Sequence, residues 1–140
     1  MATRHEARII AMHILYSIDV CKLDKNEAFE SYFKISEIQN IDNIREFLNE
    51  VVDGTINNLK LIDSEILKVM KNWDLDRLAD IDRTILRLAT FELFFMDNVP
   101  INVVINEAID LSKEYSTDNS GKFINGILDS LKMKREVFGK

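Results

Sequence analysis

A chain of 140 residues with 46% hydrophobic and 30% charged side chains suits one domain built around an apolar core. Four glycines and one proline beside abundant Leu, Ile, Val and Phe exclude collagen, solenoids and disordered tails, and favour long helices over a sheet of tight turns. A net charge of −6 and a pI near 4.9 exclude a bulk electrostatic grip on nucleic acid, which needs clustered Lys and Arg.

The first helix is read from Ala7, Ile10, Ala11, Ile14, Leu15 and Ile18, one continuous stripe at a period of about 3.6 residues. Ile9, Met12, Tyr16 and Val20 widen its apolar face, so Tyr16 serves either as core or as contact. After a polar break at Lys22–Asn26, a shorter helix carries Phe29, Tyr32 and Phe33. A third runs through Ile44, Phe47, Leu48, Val51, Val52, Ile56 and Leu59, with Asp42 or Asn43 as its expected cap and Gly54 expected under a close-packed neighbour. Ile62, Ile66, Met70 and Trp73 continue in a shifted register, which predicts a bend near Lys60–Asp63, and Asn72–Leu78 reads as a connection. Residues 81–96 are apolar around most of the helix and predict a central element, its polar stripe of Arg83, Arg87 and Thr90 expected to be satisfied by ion pairs, with Glu92, where it meets Asn106 and Glu107. Pro100 opens a helix through Ile101, Val104, Ile105, Ala108, Ile109 and Leu111. A loop at Ser116–Lys122 then precedes a last helix with Phe123, Ile124, Ile127, Leu128 and Leu131, and the tail from Lys132 is expected to fray. The sum is an all-α fold, about seven helices in one compact bundle over residues 1–140, with helical subdomains at about 1–78 and 79–140.

The chemistry-bearing residues are few. Cys21 has no second cysteine to bond and reads as a small packed hydrophobe, which points to a reducing, cytoplasmic setting. The N-terminus lacks a secretory signal, and no window reaches the roughly 18 apolar residues of a membrane span. His5 and His13 stand roughly 80° apart around a helix, so they do not share a metal, and no nucleophile, phosphate-loop or metalloprotease string occurs. No catalysis, metal or cofactor is expected.

Two small basic sites remain. Ser116–Lys122 precedes an apolar stripe, where helix amide groups and the charge of Lys122 would welcome an anion and Phe123 would stack on an unpaired base. An ordinary helix cap with Phe123 in the core is the alternative. Arg4, His5 and Arg8 open the first helix, and arginines four apart share a face that would straddle a phosphate. Charge is uneven along the chain: residues 41–80 carry five basic and nine acidic side chains, and 121–140 carry five and two. The acidic middle and the basic end could face different partners.

Ala7, Arg8, Leu15 and Tyr16, then DRTILRLATFEL, VPINVVINEAIDLSK and SGKFINGILD, succeed one another as in the bacterial transcription antitermination factor NusB family, which the chain resembles from about residue 4 to residue 131. The resemblance implies an all-α protein of two small helical subdomains, without catalysis. It implies binding of boxA single-stranded RNA in ribosomal RNA transcripts together with NusE, a small-subunit ribosomal protein. RNA polymerase and other Nus factors would join through that complex, suppressing premature, largely Rho-dependent, termination.

By position, the resemblance puts RNA contacts at Arg4, His5, Arg8, Asn119, Ser120, Lys122 and Phe123, and partner contacts at Tyr16 and Asp82. His5 and Glu6 stand where relatives often carry arginine, which would weaken RNA binding. Asn119 stands where some carry an acid, which would strengthen it. The two basic sites together predict that RNA is clamped between the start of the first helix and the start of the last. A homodimer of the free protein is a further possibility that the sequence leaves open. The chain is also similar to the N-terminal region of an rRNA cytosine methyltransferase, whose catalytic domain would need residues beyond those present. A purely structural helical scaffold is the third reading, in which substitutions at Arg4, Lys122 or Phe123 alter stability alone.

Overall fold

The computed structural model describes residues 1–38, 40–70 and 75–139. Among the described residues, eight α-helices follow in chain order: α1 (Arg4–Asp19), α2 (Lys25–Ile35), α3 (Arg45–Asn57), α4 (Leu59–Val69), α5 (Asp80–Phe95), α6 (Ile101–Tyr115), α7 (Asp118–Leu131) and a four-residue α8 (Arg135–Phe138). Short 3-10 turns at Leu75–Arg77 and Lys132–Lys134 join them, and no strand occurs among the described residues. The expected all-α bundle is thus what forms, with seven long helices and a short eighth.

Local chemistry sets several boundaries. Thr3 and Asp24 each accept a bond from the backbone three residues on, while Glu6 and Glu27 reach back to the cap amide, closing a capping box at the start of α1 and of α2. The third helix departs from expectation: it starts at Ile44 without a side-chain cap. Asn43 donates instead to the Ala2 carbonyl at 2.7 Å, tying down the N-terminus, and Asp42 pairs with Arg45. The bend expected near Lys60–Asp63 falls at Asn58, which ends α3, begins α4 and donates its amide to the Gly54 carbonyl. Trp73 and the first three residues of the Asn72–Leu78 connection lie outside the described residues, and the rest of it forms the 3-10 turn at Leu75–Arg77.

Helix α5 is the axis of the bundle, with twelve of its sixteen residues buried. It packs against α1, α3, α4, α6, α7 and α8. Gly54 is required by this packing, since a Cβ there would overlap the Phe91 ring of α5. The expected ion pairs on α5 exist, but not where α5 meets Asn106 and Glu107. Arg83 bonds Asp19 at 2.7 Å and Asp80 at 2.9 Å, and Arg87 bonds Asp63 at 2.8 Å, so the cations of α5 reach α1 and α4 rather than α6. Burial would raise the Asp19 carboxyl, but the two guanidiniums hold it below its ordinary range.

The tail does not fray. Arg135 donates to the carbonyls of Glu92, Leu93, Met96 and Val99 at 2.6–3.2 Å, closing the C-terminal end of α5, and Phe138 stacks on Phe94 with centroids 4.8 Å apart. Cys21 is exposed rather than packed, because it follows the last turn of α1 where the chain turns through Lys22 at φ 60°.

Candidate nucleic-acid interface

The start of α1 splits the three residues that the sequence grouped. Arg4 is exposed, with its guanidinium 4.5 Å from the centroid of Phe47 and no carboxylate in ion-pair range among the described residues. Arg8, one turn later, points inward. It is 3% exposed, and its Nε and Nη2 bond both oxygens of Glu92 at 2.8–3.1 Å, with the Phe47 ring also beneath it. Arg4 and Arg8 therefore do not straddle a phosphate. Arg8 is on the apolar stripe beside Ala7 and Ala11, and a buried carboxylate on α5 needs its charge. Burial pushes the Glu92 carboxyl above its ordinary range, with Arg8 pulling the other way.

His5 lies against the acidic side of α6. Its Nδ1 is 2.6 Å from Glu107 and its Nε2 3.9 Å from Glu114. The hydrogen bond to Glu107 raises the imidazole above its ordinary value against partial burial, with the charges of Glu107, Glu114 and Asp110 adding to it. Further along α1, His13 stands between the rings of Tyr32 and Tyr115, and burial lowers its pKa. The two histidines thus have separate surroundings, and no metal-holding group of His, Cys, Asp or Glu occurs among the described residues.

At the other end of α6, helix α7 begins earlier than expected. Thr117 is its cap, so Asn119, Ser120, Lys122 and Phe123 are helical residues of its first turns rather than a preceding loop. Asn119 and Lys122 are exposed, and Phe123 is part-buried against the core. Ser120 is buried at 8% exposure, and its hydroxyl donates to Asp82 Oδ2 at 2.8 Å. That bond corrects two expectations together. The Ser120 hydroxyl turns to Asp82 rather than to solvent, and the Asp82 carboxylate, also 8% exposed, is held beneath the surface of the free chain. Tyr16 is part-buried near the C-terminal end of α1.

Packing adds residues that sequence reasoning passed over. Lys113 and Asn125, with Lys122, Asp118, Ile109 and Gly121, line a surface groove of about 280 Å³ between α6 and α7. Neither Lys113 nor Lys122 has an ion-pair partner among the described residues, whereas Arg8, Lys25, Arg45, Lys68, Arg83 and Arg87 are all paired. The spacing of Lys113 and Lys122 across a turn was the available signal. A second groove, of about 200 Å³, runs between α1, α3, α4 and α5, with Leu15, Ile18, Ile56 and Leu59 as walls and Asp19, Lys22 and Arg87 as polar rim.

Comparison with known proteins agrees with this architecture. A sequence model described as the NusB family matches residues 5–133. The transcription antitermination protein NusB of Exiguobacterium sp. is 41% identical over 128 residues, covering 91% of this chain and 95% of its own. The solved structure of T. maritima NusB is 35% identical, with a TM-score of 0.85 over 95% of this chain and 92% of that one. A crystal structure of antitermination factors NusB and NusE in complex with dsRNA contains a chain 31% identical, with a TM-score of 0.83, covering 93% of this chain and 96% of that one. With sequence and fold matched nearly end to end, the chain belongs to the NusB family.

Proposed function

We propose that the protein is a transcription antitermination factor that binds boxA RNA of ribosomal RNA transcripts together with a NusE-type ribosomal protein. Through that complex it joins RNA polymerase and other Nus factors and suppresses premature, largely Rho-dependent, termination, without catalysis of its own. The observation that carries this reading is the match, along nine-tenths of the chain, to a relative named as an antitermination protein. The structure of NusB and NusE with RNA supports both partners.

The exposed cations give the reading a geometry. Arg4 and His5 form one edge of the RNA surface, and Asn119, Lys122, Phe123, Lys113 and Asn125 form the other. Between His5 and Lys113 lies the stretch of α6 that begins at Glu107, about 9 Å of helix. The RNA therefore follows an extended path and does not sit in one pocket, and the Glu107 carboxylate along that path is partly offset by His5. Phosphates pair with Arg4, Lys113 and Lys122, while Phe123, part-buried at the start of α7, stacks on a base. The partner docks at the end where α1 finishes and α5 starts, near Tyr16, and its basic character suits the acidic chain.

Fluorescence-anisotropy titration of labelled boxA RNA against a scrambled control, with and without the NusE-type partner, tests the proposal. Preference for boxA that tightens with the partner is expected. Lys122→Ala then lowers affinity and reduces the salt slope by about one phosphate equivalent. Equal binding of both RNAs in both conditions would overturn the RNA role.

A further inference from the structure

The hydrogen bond between Asp82 and Ser120 joins residues 38 apart in sequence, one in the first turn of α5 and one in the first turn of α7. Its chemistry has a fixed direction. An ionised carboxylate only accepts, so the single hydroxyl proton of Ser120 goes to Asp82 Oδ2. Ser120 Oγ then accepts from the hydroxyls of Ser116 and Thr117, each at 3.0 Å, while the Ser120 amide donates to Thr117 Oγ1 at 3.1 Å. One buried carboxylate on α5 thereby organises the hydroxyls at the cap of α7, and its charge also suits the partial positive end of that helix.

The other oxygen of the same carboxylate is unpaired within the described residues. Asp82 Oδ1 is out of solvent with no hydrogen-bond partner among the described residues, a condition native folds seldom keep without reason. It belongs to the end of the bundle where α5 starts and α1 finishes, joined through Arg83 and Asp19. Asp82 keeps 8% of its surface exposed, so a small rotation of the carboxylate presents Oδ1 to a donor carried by a protein docking at that end, and through Oδ2 the same contact acts on the first turn of α7.

Resting on the function proposed above, we propose that Asp82 is a positioning residue whose bond to Ser120 couples partner docking to RNA binding at the start of α7. Coupling of this kind is reciprocal, so RNA bound on α7 also tightens the partner. Asp82 then acts as a relay behind the surface, which explains why it carries a charge at a buried position.

The test combines two readouts on the wild type and on Asp82→Ala, Ser120→Ala, Asp82→Asn and the double alanine variant, each first shown to be folded by its melting curve. The first is boxA RNA affinity with and without the NusE-type partner. The second is amide hydrogen exchange of residues 119–123 in the partner-free protein. The partner is expected to tighten RNA binding by roughly tenfold in the wild type and by less than about threefold in either alanine variant. Asp82→Asn keeps an acceptor for Ser120 and retains most of the gain, whereas the double variant is no worse than the singles. Exchange of the α7 first turn quickens in both alanine variants and not in Asp82→Asn. A full partner gain in Ser120→Ala, additive losses in the double variant, or unchanged exchange would each overturn the coupling. If the wild type shows no boxA preference at all, the antitermination reading fails and takes the coupling with it. The exchange data then decide by themselves whether Asp82 positions α7.

Discussion

Replacing Arg8 by alanine isolates the energetics of the buried pair beneath the start of α1. Arg8 and Glu92 are 3% and 2% exposed, and two guanidinium nitrogens make three contacts of 2.8–3.1 Å to the carboxylate. Water does not replace the lost partner, so the variant leaves a buried carboxylate and a cavity beside Phe47. Breaking such a pair from one side costs about 3–5 kcal/mol, which for a chain of this size lowers Tm by about 10–17 °C. The loss depends on pH with a definite sign. Burial already holds Glu92 above its ordinary range against the pull of Arg8, so the folded state binds that proton more tightly than the unfolded chain. Stability from such a group is complete below the unfolded pKa and falls as pH rises through the folded one. Removing Arg8 strengthens this trend, so the deficit of the variant is smallest in acid and widens towards neutral pH. Urea denaturation of both proteins across that range measures it, and Arg8→Met with Glu92→Leu recovers most of the loss by removing both charges. A deficit below about 1 kcal/mol at neutral pH, or one independent of pH, would refute this account of the pair.

Three further outcomes follow from the packing. Gly54→Ala gains about 1 kcal/mol of helix propensity but drives a methyl into Phe91 for about 1–3 kcal/mol, so equilibrium unfolding shows a net loss; stabilisation would mean that the ring has room to move. His5 is raised above the ordinary imidazole value by Glu107, so its stabilising contribution is full below that value and is lost as pH rises through the folded one. His5→Gln is accordingly less stable than wild type at about pH 6, with the gap narrowing as pH rises above the ordinary imidazole range, and a gap that ignores pH would argue against the pairing. Arg135→Ala strips the C-terminal end of α5 of four carbonyl contacts and costs about 2–3 kcal/mol, with faster proteolysis of the tail as its signature; a tail as resistant as before would show that Phe138 alone holds it.

The helices were legible because apolar residues repeat at the helical period, and that period survives whatever the neighbours are. Gly54 was legible for a related reason: a glycine inside a strong helical stripe costs stability unless something presses on it, and Phe91 does. Segment ends were less so. Asn43 and Asp42 are good caps by type, yet Asn43 is taken by the Ala2 carbonyl and Asp42 by Arg45, partners that a local pattern does not reveal. The tail from Lys132 reads as polar and terminal, and only the carbonyls gathered at the end of α5 give Arg135 somewhere to go.

For the functional surface, the sequence by itself determined residue types and the family: cations at two helix starts, an aromatic beside one of them, and strings that matched NusB proteins in order. It did not determine which way each side chain turns. Arg4 and Arg8 are four apart and identical in kind, yet one faces solvent over Phe47 and the other is buried on Glu92, because the second falls on the stripe that α5 covers. Ser120 and Lys122 are two apart and diverge for the same reason, since the start of α5 lies over one and not the other. Periodicity is local and survives in the sequence. The pairing of a buried charge depends on which distant helix is laid against it, and only the tertiary structure supplies that.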